Sequence, residues 1–319
     1  ARSRLPRWMG EKLRVVTFNV YPPAYRVVAE WAARHGHRLV LLVTVPGGGG
    51  DRYGDEVPGL AAVTPAGQDV LVTTRLRRTA APVIAALAPD LIVSVTYPLR
   101  IPPEVMAVPR YGALNVHPSV LPRWRGPNPQ RSIYEGDPMV GATAHRMDPE
   151  FDSGPMLSRR ELPRPADMTA RDLLDLWLEL CATVLREGAE RAVAGDPGQP
   201  QDHHMATYAA PFSEQERWLD WSEPALTVQR RAAALNVAAP TACAVVDGEP
   251  AEVLEVRALR LSVPPAPPGK VLRRSGDVRT IRVADGAVSV RTRPMPAGVA
   301  PPVTVARSVV LPDAEALSV

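Results

Sequence analysis

The chain has 319 residues, of which 45% are hydrophobic, and a formal net charge of +3. This length predicts about two domains, and the lack of any run of about 18 apolar residues argues against a membrane span. The basic N-terminus lacks the apolar segment of a secretory signal, and we expect natural translation to begin at Met9. Cys181 and Cys243 have no metal or redox spacing. We therefore predict a cytoplasmic protein without metal. Charge-driven binding of nucleic acid is not expected, because the basicity is spread along the chain as arginine.

The N-terminal half alternates apolar runs with segments of helical spacing. Apolar runs predict strands at Leu13–Val20, His37–Val45, Leu91–Thr96 and Gly112–His117, and a short strand at Asp69–Val72. Helical spacing predicts helices at Ala24–Arg34 and Thr79–Leu87. Strands that alternate with helices indicate βαβ units, a parallel sheet and right-handed crossovers. We therefore predict an α/β fold with a Rossmann-like N-terminal domain.

The composition changes after a long amphipathic helix predicted at Thr169–Ala194. Asp196–Pro211 is rich in Pro, Gly and Gln and predicts a linker. Short β-like segments separated by turns then predict a small OB-like barrel. They are Ala242–Val246, Glu252–Ala258, Lys270–Arg273, Val278–Val283 and Ala287–Arg293. The predicted organisation is a first domain at residues 9–200, a linker at 201–211 and a β-barrel domain at 212–319.

The stretch Leu114–Gln130, LNVHPSVLPRWRGPNPQ, carries the strongest chemical signal. Asn115 and His117 are two residues apart at the end of an apolar strand, so both side chains point to one face. In open α/β sheets, ligands bind beyond the carboxyl ends of the strands. A polar pair at that position is therefore better placed for chemistry than for the core.

Asp152 is the third candidate, in the segment MDPEFDSGPM. Gly154 and Pro155 follow it closely, which predicts a loop. Asn, His and Asp together suit acyl transfer to an amine. Asn115 can donate a hydrogen bond to the developing oxyanion, and Asp152 can orient the imidazole. His117 can either donate to that oxyanion or accept the amine proton.

These segments also resemble a known family. NVHPSVLPRWRG is similar to the signature of the folate-dependent formyltransferases, with Val120 in place of the usual Leu. HRMDPEFDSGPML resembles the acidic loop of that family. Leu91–Pro102 resembles its pteridine-binding strand and loop, and Ala206–Ala239 its crossing into a C-terminal barrel.

The resemblance implies a Rossmann-like catalytic domain, a C-terminal barrel and 10-formyltetrahydrofolate as co-substrate. The catalytic residues carry over to Asn115, His117 and Asp152. The implied folate pocket uses backbone groups near the segment Tyr97–Ile101 and the loop Met139–Asp152. The implied folate-binding residues are Tyr97, Leu99, Ile101, Met139, Met147 and Asp152. The predicted acceptor-side residues are Asn19, Tyr21, Arg125 and His145, with a structural role left open for Arg125 and His145.

The overall layout is similar to methionyl-tRNA formyltransferases, with two departures. The segment Val45–Pro58 holds one Arg against three acidic residues, a formal charge of −2 that would repel phosphates. The first turn, Asn19–Pro23, also lacks the usual Gly-Thr-Pro. We therefore predict formylation of an amine on a small molecule or a carrier-bound aminoacyl group, in secondary metabolism. The alternatives are a methionyl-tRNA formyltransferase and a 10-formyltetrahydrofolate hydrolase.

Overall fold

The computed structural model describes residues 11–46, 59–60 and 63–295. The glycine-rich part of Val45–Pro58 lies outside the described residues. The chain divides into two compact units, each assembled from several stretches of sequence. The first unit comprises the described residues of 11–129, 139–163 and 176–210, and the second comprises those of 130–138, 164–175 and 211–295.

The first unit contains a seven-stranded sheet in the order β3-β2-β1-β4-β5-β6-β7. Its strands are β1 (Arg14–Phe18), β2 (Arg38–Thr44), β3 (Val70–Val72), β4 (Leu91–Val95), β5 (Ala113–His117), β6 (Met139–Arg146) and β7 (Met156–Pro163). Strands β1 to β5 pair in parallel, whereas β6 and β7 are antiparallel additions at one edge. The predicted α/β fold with a parallel sheet is confirmed.

Six α-helices are described. They are α1 (Pro22–His35), α2 (Ala81–Leu87), α3 (Pro103–Met106), α4 (Arg131–Glu135), α5 (Ala170–Val193) and α6 (Ala225–Asn236). Proline opens α1, where its fixed φ suits the first turn, and Gly36 ends it in the left-handed conformation with φ 70°. None of the described helices has both the length and the apolar character that a membrane span requires.

The core of the first unit surrounds the middle of the sheet. All five residues of β4 are buried, as expected for a central parallel strand that is covered on both faces. One apolar cluster includes Phe18 of β1, Val43 of β2 and Ile92 of β4. This packing fixes the carboxyl ends of the parallel strands, which is the edge where the polar pair of β5 lies.

The second unit contains a five-stranded antiparallel sheet in the order β10-β11-β12-β9-β8. Its strands are β8 (Cys243–Val246), β9 (Glu249–Leu259), β10 (Val271–Ser275), β11 (Val278–Val283) and β12 (Gly286–Pro294). A two-residue turn, Asp247-Gly248, joins β8 to β9 with positive φ at both positions, as a tight hairpin turn requires. The prediction of an antiparallel β-rich C-terminal domain is confirmed, but in the described residues β10 and β8 are edge strands, so the sheet is open where a small OB-like barrel was predicted.

Thr169, directly before α5, and Asp172, in its first turn, form a reciprocal N-terminal cap. The Thr169 backbone N–H and hydroxyl donate to Asp172 Oδ2 at 2.9 and 2.7 Å, and the Asp172 N–H donates back to Thr169 Oγ1 at 3.3 Å. This exchange satisfies backbone donors that the first helical turn leaves unpaired.

Thr169→Ala should lower the free energy of unfolding by about 1 kcal/mol, the usual loss for an N-cap. Denaturant unfolding checks this value. Thr183→Ala in the same helix is the matched control, because the Thr183 hydroxyl donates to its own helix, at Glu179 O, and the change should be within about 0.5 kcal/mol of neutral. Equal effects of the two substitutions would contradict the capping role.

Candidate active site

Strand β5 presents two polar side chains near its carboxyl end. Asn115 and His117 flank the buried Val116, so the pleat of the strand directs both side chains to one face. Asn115 stands opposite His145 of β6 in the antiparallel register. Three polar side chains therefore share this face of the sheet.

Asp152 lies in the loop between β6 and β7, and its carboxylate is buried at the centre of this group. Its Oδ1 accepts a hydrogen bond from Asn115 Nδ2 at 2.9 Å and lies 3.4 Å from His145 Nε2. Its Oδ2 accepts from the Gly126 backbone N–H at 2.8 Å and lies 3.7 Å from His117 Nδ1. The structure therefore brings together the three side chains proposed from the sequence, Asn115, His117 and Asp152.

The surroundings of Asp152 keep it ionised. Burial alone would raise its pKa, but the charge of protonated His117, the hydrogen bond and charge of protonated His145, and the hydrogen bond from the Gly126 N–H outweigh burial. Together they hold the pKa of Asp152 well below its ordinary value. Asp152 is therefore a carboxylate at neutral pH, which gives the site one fixed negative charge.

His117 has neighbours at both ring nitrogens. Its Nε2 lies 2.8 Å from the backbone carbonyl oxygen of Trp124. Because a carbonyl oxygen only accepts, Nε2 carries the proton, while Nδ1 faces Asp152. In this arrangement His117 offers a hydrogen at Nε2 rather than a lone pair. Of the two roles left open by the sequence, the geometry favours the hydrogen-bond donor.

Two glycines permit the close approach of the loops around Asp152. Gly126 has a φ of 104°, and a Cβ there would lie 2.4 Å from Cε2 of Tyr208. A Cβ at Gly154 would lie 1.9 Å from the Arg146 carbonyl oxygen. The positive φ favours glycine at position 126, and the short contact with a backbone carbonyl requires it at position 154.

Gln201 joins the two loops that flank the carboxylate. Its Nε2 donates to the backbone carbonyls of Asp152 at 2.9 Å and Gly154 at 2.8 Å. Its Oε1 accepts from Arg125 Nε at 3.1 Å and Nη2 at 2.7 Å. Gln201 is buried, although it belongs to the segment predicted as a linker. Sequence reasoning missed this residue, because a single Gln in a Pro- and Gly-rich segment has no periodic signal.

Comparison with known proteins shows which family this chain belongs to. The formyl transferase family model matches residues 37–185, and the model of the formyl transferase C-terminal domain matches residues 211–299. The chain is 38% identical over 217 residues to the methionyl-tRNA formyltransferase of Pseudomonas putida (strain W619), an overlap of 67% of this chain and 69% of that protein. The chain belongs to the formyltransferase family.

Other relatives extend this comparison. The methionyl-tRNA formyltransferase of Halorhodospira halophila is 39% identical over 211 residues, covering 66% of this formyltransferase and 64% of the relative. HypX from Aquifex aeolicus, solved in complex with tetrahydrofolic acid, shares the fold with a TM-score of 0.66 and 20% identity. The match covers 88% of this chain but 44% of HypX. WlaRD, a sugar 3N-formyl transferase, matches with a TM-score of 0.57 and 12% identity, over 89% of this chain and 98% of WlaRD.

The family uses formyl-tetrahydrofolate as the formyl donor, and four predicted folate residues of this formyltransferase lie together. Tyr97, Leu99, Ile101 and Met147 belong to one apolar cluster. The hydroxyls of Tyr97 and the neighbouring Thr96 are buried and have no hydrogen-bond partner among the described residues. Burial also raises the pKa of Tyr97, so its phenol stays neutral. A flat heterocycle with a polar edge fits this cluster, because it would supply the missing partners.

Met139 does not lie with the other predicted folate residues. It begins β6 and pairs with Pro163 of β7, whereas His145 near the other end of β6 faces Asn115. Six residues of strand place Met139 roughly 20 Å from that end. The prediction took one range from Met139 to Asp152, but most of that range is an antiparallel strand that leads away from the site.

Asn19 also points away from Asn115. Phe18 is in register with Ser94, and Ser94 with Asn115, so these three residues share a face of the sheet. The Asn19 amide instead donates to the hydroxyl of Thr17, whose side chain is on the opposite face. The Asn19 side chain is buried, and its Oδ1 has no hydrogen-bond partner within the described ranges.

The other predicted acceptor-side residues differ in position. His145 lies in the site, and Tyr21 is half-buried in the turn before α1. The Arg125 guanidinium bonds Gln201 and lies 3.3 Å from His203 Nδ1. Acceptor binding by these residues stays a prediction. No group of three or more His, Cys, Asp or Glu side chains in the described part of the chain could hold a metal ion.

Gln201→Leu should remove both hydrogen bonds to the Asp152 loop. It leaves two buried carbonyls and the Arg125 guanidinium without their amide partner, and each such group costs about 1–3 kcal/mol. We expect a loss of roughly 2–4 kcal/mol in the free energy of unfolding, measured in urea. Gln215→Leu, at an exposed position, is the matched control and should be nearly neutral. Unfolding of both variants at the same urea concentration would show that Gln201 does not secure this loop.

Proposed function

We propose that this formyltransferase moves a formyl group from 10-formyltetrahydrofolate to the amine of a small molecule or of a carrier-bound aminoacyl group, in secondary metabolism. The reaction class rests on one observation. A buried carboxylate, Asp152, contacts Asn115 at 2.9 Å and lies 3.7 Å from His117. These three groups are the ones that acyl transfer to an amine needs.

Each residue has a distinct task in the proposed reaction. When bound, the folate would supply the formyl group: the amine nitrogen bonds to the formyl carbon, the bond from that carbon to the folate nitrogen breaks, and the proton lost by the amine goes to that nitrogen as tetrahydrofolate leaves. Asn115 and His117 donate hydrogen bonds to the formyl oxygen, which gains negative charge as the amine adds. For this purpose His117 turns its Nε2–H from the Trp124 carbonyl to that oxygen. Asp152 holds the imidazole in place and stabilises positive charge on it.

The acceptor class rests on the acceptor side of the chain. The segment Val45–Pro58 carries a formal charge of −2, which disfavours a phosphate-rich partner. Pro22 and Pro23 stand in the first turn of α1. Proline has no backbone N–H, so this helix start lacks two of the donors that bind phosphate groups in many α/β proteins. Both features favour an acceptor that is recognised without strong contacts to phosphate at these places.

Formylation of methionyl-tRNA is the second candidate. It is favoured by the 38% identity to a methionyl-tRNA formyltransferase over 217 residues. Hydrolysis of 10-formyltetrahydrofolate is the third, since water can replace an amine as the nucleophile at the same three residues.

A direct assay separates these candidates. The protein is incubated with 10-formyltetrahydrofolate and, separately, small amines, aminoacyl carrier protein, amino sugar nucleotides and methionyl-tRNA. Product is detected by the mass gain of one formyl group. We expect formylation of a small or carrier-bound amine, with little response to salt between about 50 and 200 mM because few counterions are released.

Asp152→Asn should lower turnover by a factor on the order of 10² to 10⁴, as expected for loss of the group that orients the histidine.

Three other outcomes of these assays would contradict the proposal. Efficient formylation of methionyl-tRNA with a steep inverse salt dependence would replace the proposed acceptor by the second candidate. Release of formate with no formylated amine would identify a hydrolase. Unchanged turnover in Asp152→Asn would place the reaction elsewhere in the molecule.

A further inference from the structure

Three polar atoms in the site form a closed triangle. Asn115 Nδ2 lies 2.9 Å from Asp152 Oδ1 and 3.2 Å from His145 Nε2, and the third side, from His145 Nε2 to Asp152 Oδ1, is 3.4 Å. All three atoms are within or near hydrogen-bond distance of one another. The distribution of hydrogens over the triangle therefore decides which group remains able to bind a substrate.

The backbone fixes the tautomer of neutral His145. Its Nδ1 lies 2.8 Å from the carbonyl oxygen of Arg146. A carbonyl oxygen only accepts, so Nδ1 must carry the hydrogen. In the neutral ring Nε2 then has a lone pair, and this lone pair faces Asn115. His145 thus differs from His117, whose Nε2 donates to the Trp124 carbonyl.

The tautomer of His145 in turn fixes the orientation of the Asn115 amide. Asp152 Oδ1 and His145 Nε2 are both acceptors, so the nitrogen of the amide, and not its oxygen, must face them. An amide nitrogen has two hydrogens. One is donated to Asp152 and the other to His145, so neither hydrogen is available to a formyl oxygen.

We propose that His145 is a positioning residue whose protonation state controls the Asn115 amide. Neutral His145 holds one amide hydrogen at Nε2. Protonated His145 has no lone pair there, and its new N–H faces Asp152 Oδ1 instead. Asn115 then keeps its bond to Asp152 and directs the released hydrogen toward the formyl oxygen. This inference rests on the proposed function, because it assigns the released hydrogen to that oxygen.

The groups around His145 are consistent with this control. Asp152 faces it from the β6–β7 loop, and His117 of β5 lies on the other side of the same carboxylate. The Arg146 guanidinium turns away, to the backbone oxygens of Asp196 and Tyr111. On β7 the residue paired with His145 is Met156, which carries no charge. Asp152 is therefore the charge that a proton on His145 meets first.

Nitrogen-15 NMR tests the geometry without any activity assay. The protein is labelled with nitrogen-15 at histidine and studied at a pH where His145 is neutral. We expect Nδ1 of His145 to carry the hydrogen, as a pyrrole-type nitrogen, and Nε2 to carry a lone pair, as a pyridine-type nitrogen. His117 should show its hydrogen at Nε2. Signals are assigned by their loss in His145→Gln and His117→Asn. A hydrogen on Nε2 of neutral His145 would overturn the proposal. The NMR measurement needs no amine substrate, so its failure can be distinguished from failure of the proposed function.

Kinetics test the control of Asn115. His145→Leu offers no acceptor to the Asn115 amide, so the hydrogen that neutral His145 holds is free at every pH, and kcat should keep its low-pH value as the pH rises. His145→Gln, whose amide oxygen reaches the Nε2 position, accepts the same hydrogen at every pH and should lower kcat about tenfold, since one hydrogen bond to the formyl oxygen is lost. Both variants should lose the step in the kcat–pH profile that His145 contributes. His204→Gln, at an exposed position, is the control and should keep the profile of the natural protein.

Two kinetic results would contradict the proposal. One is a kcat and a pH profile for His145→Leu that match the natural protein. The other is an equal loss in the Leu and Gln variants with the pH step retained, which would assign His145 a packing role only. Circular dichroism and folate binding of each variant show that the fold is intact before the kinetics are compared.

Discussion

The buried negative charge of Asp152 determines which groups surround it in the site. Asp152 is 8% exposed, and a carboxylate removed from water is tolerated only with hydrogen bonds and opposite charge around it. The hydrogen bonds from Asn115 and the Gly126 N–H and the charge of His117 meet that need, and His145 adds to them when it is protonated. The proposed function uses some of the same groups as donors to the formyl oxygen, so in that proposal one electrostatic requirement both stabilises the loop and prepares the site for catalysis. Removal of any one partner should disturb the others, because they share a single acceptor.

The surrounding fold holds this charge from several sides. Strand β5 brings two of the side chains, the β6–β7 loop brings Asp152 with a φ of 54°, and Gln201 ties that loop to Arg125. The apolar cluster that suits the donor is built on the sheet and its adjoining loops. In the proposed function, the acceptor class rests on the charge of the segment Val45–Pro58 and on the prolines that open α1. A family can therefore retain its donor and its chemistry while the acceptor changes.

Much of this arrangement could be predicted from the sequence, because the signals are local. Asn115 and His117 alternate at the end of an apolar strand, and Asp152 follows from a similar segment in the family. Strand β6 gave no such signal, because MVGATAHR is built from small residues without a clear period and was predicted as a binding stretch that included Met139. Asn19 was placed at the site from its neighbourhood in sequence, but strand alternation sends its side chain to the other face. Gln201 acts through contacts with residues distant in sequence, which no local pattern encodes.

The most direct measurement is the pKa of Asp152 itself. Carbon-13 NMR of the carboxyl carbon, assigned by its loss in Asp152→Asn, follows ionisation as the pH is lowered. The account predicts that Asp152 stays ionised below the ordinary aspartate value of about 3.9, and that His117→Asn moves its pKa upward, because the largest favourable charge is lost. A carboxyl that titrates at or above the ordinary value in the natural protein, unchanged by His117→Asn, would contradict the central role of this buried charge.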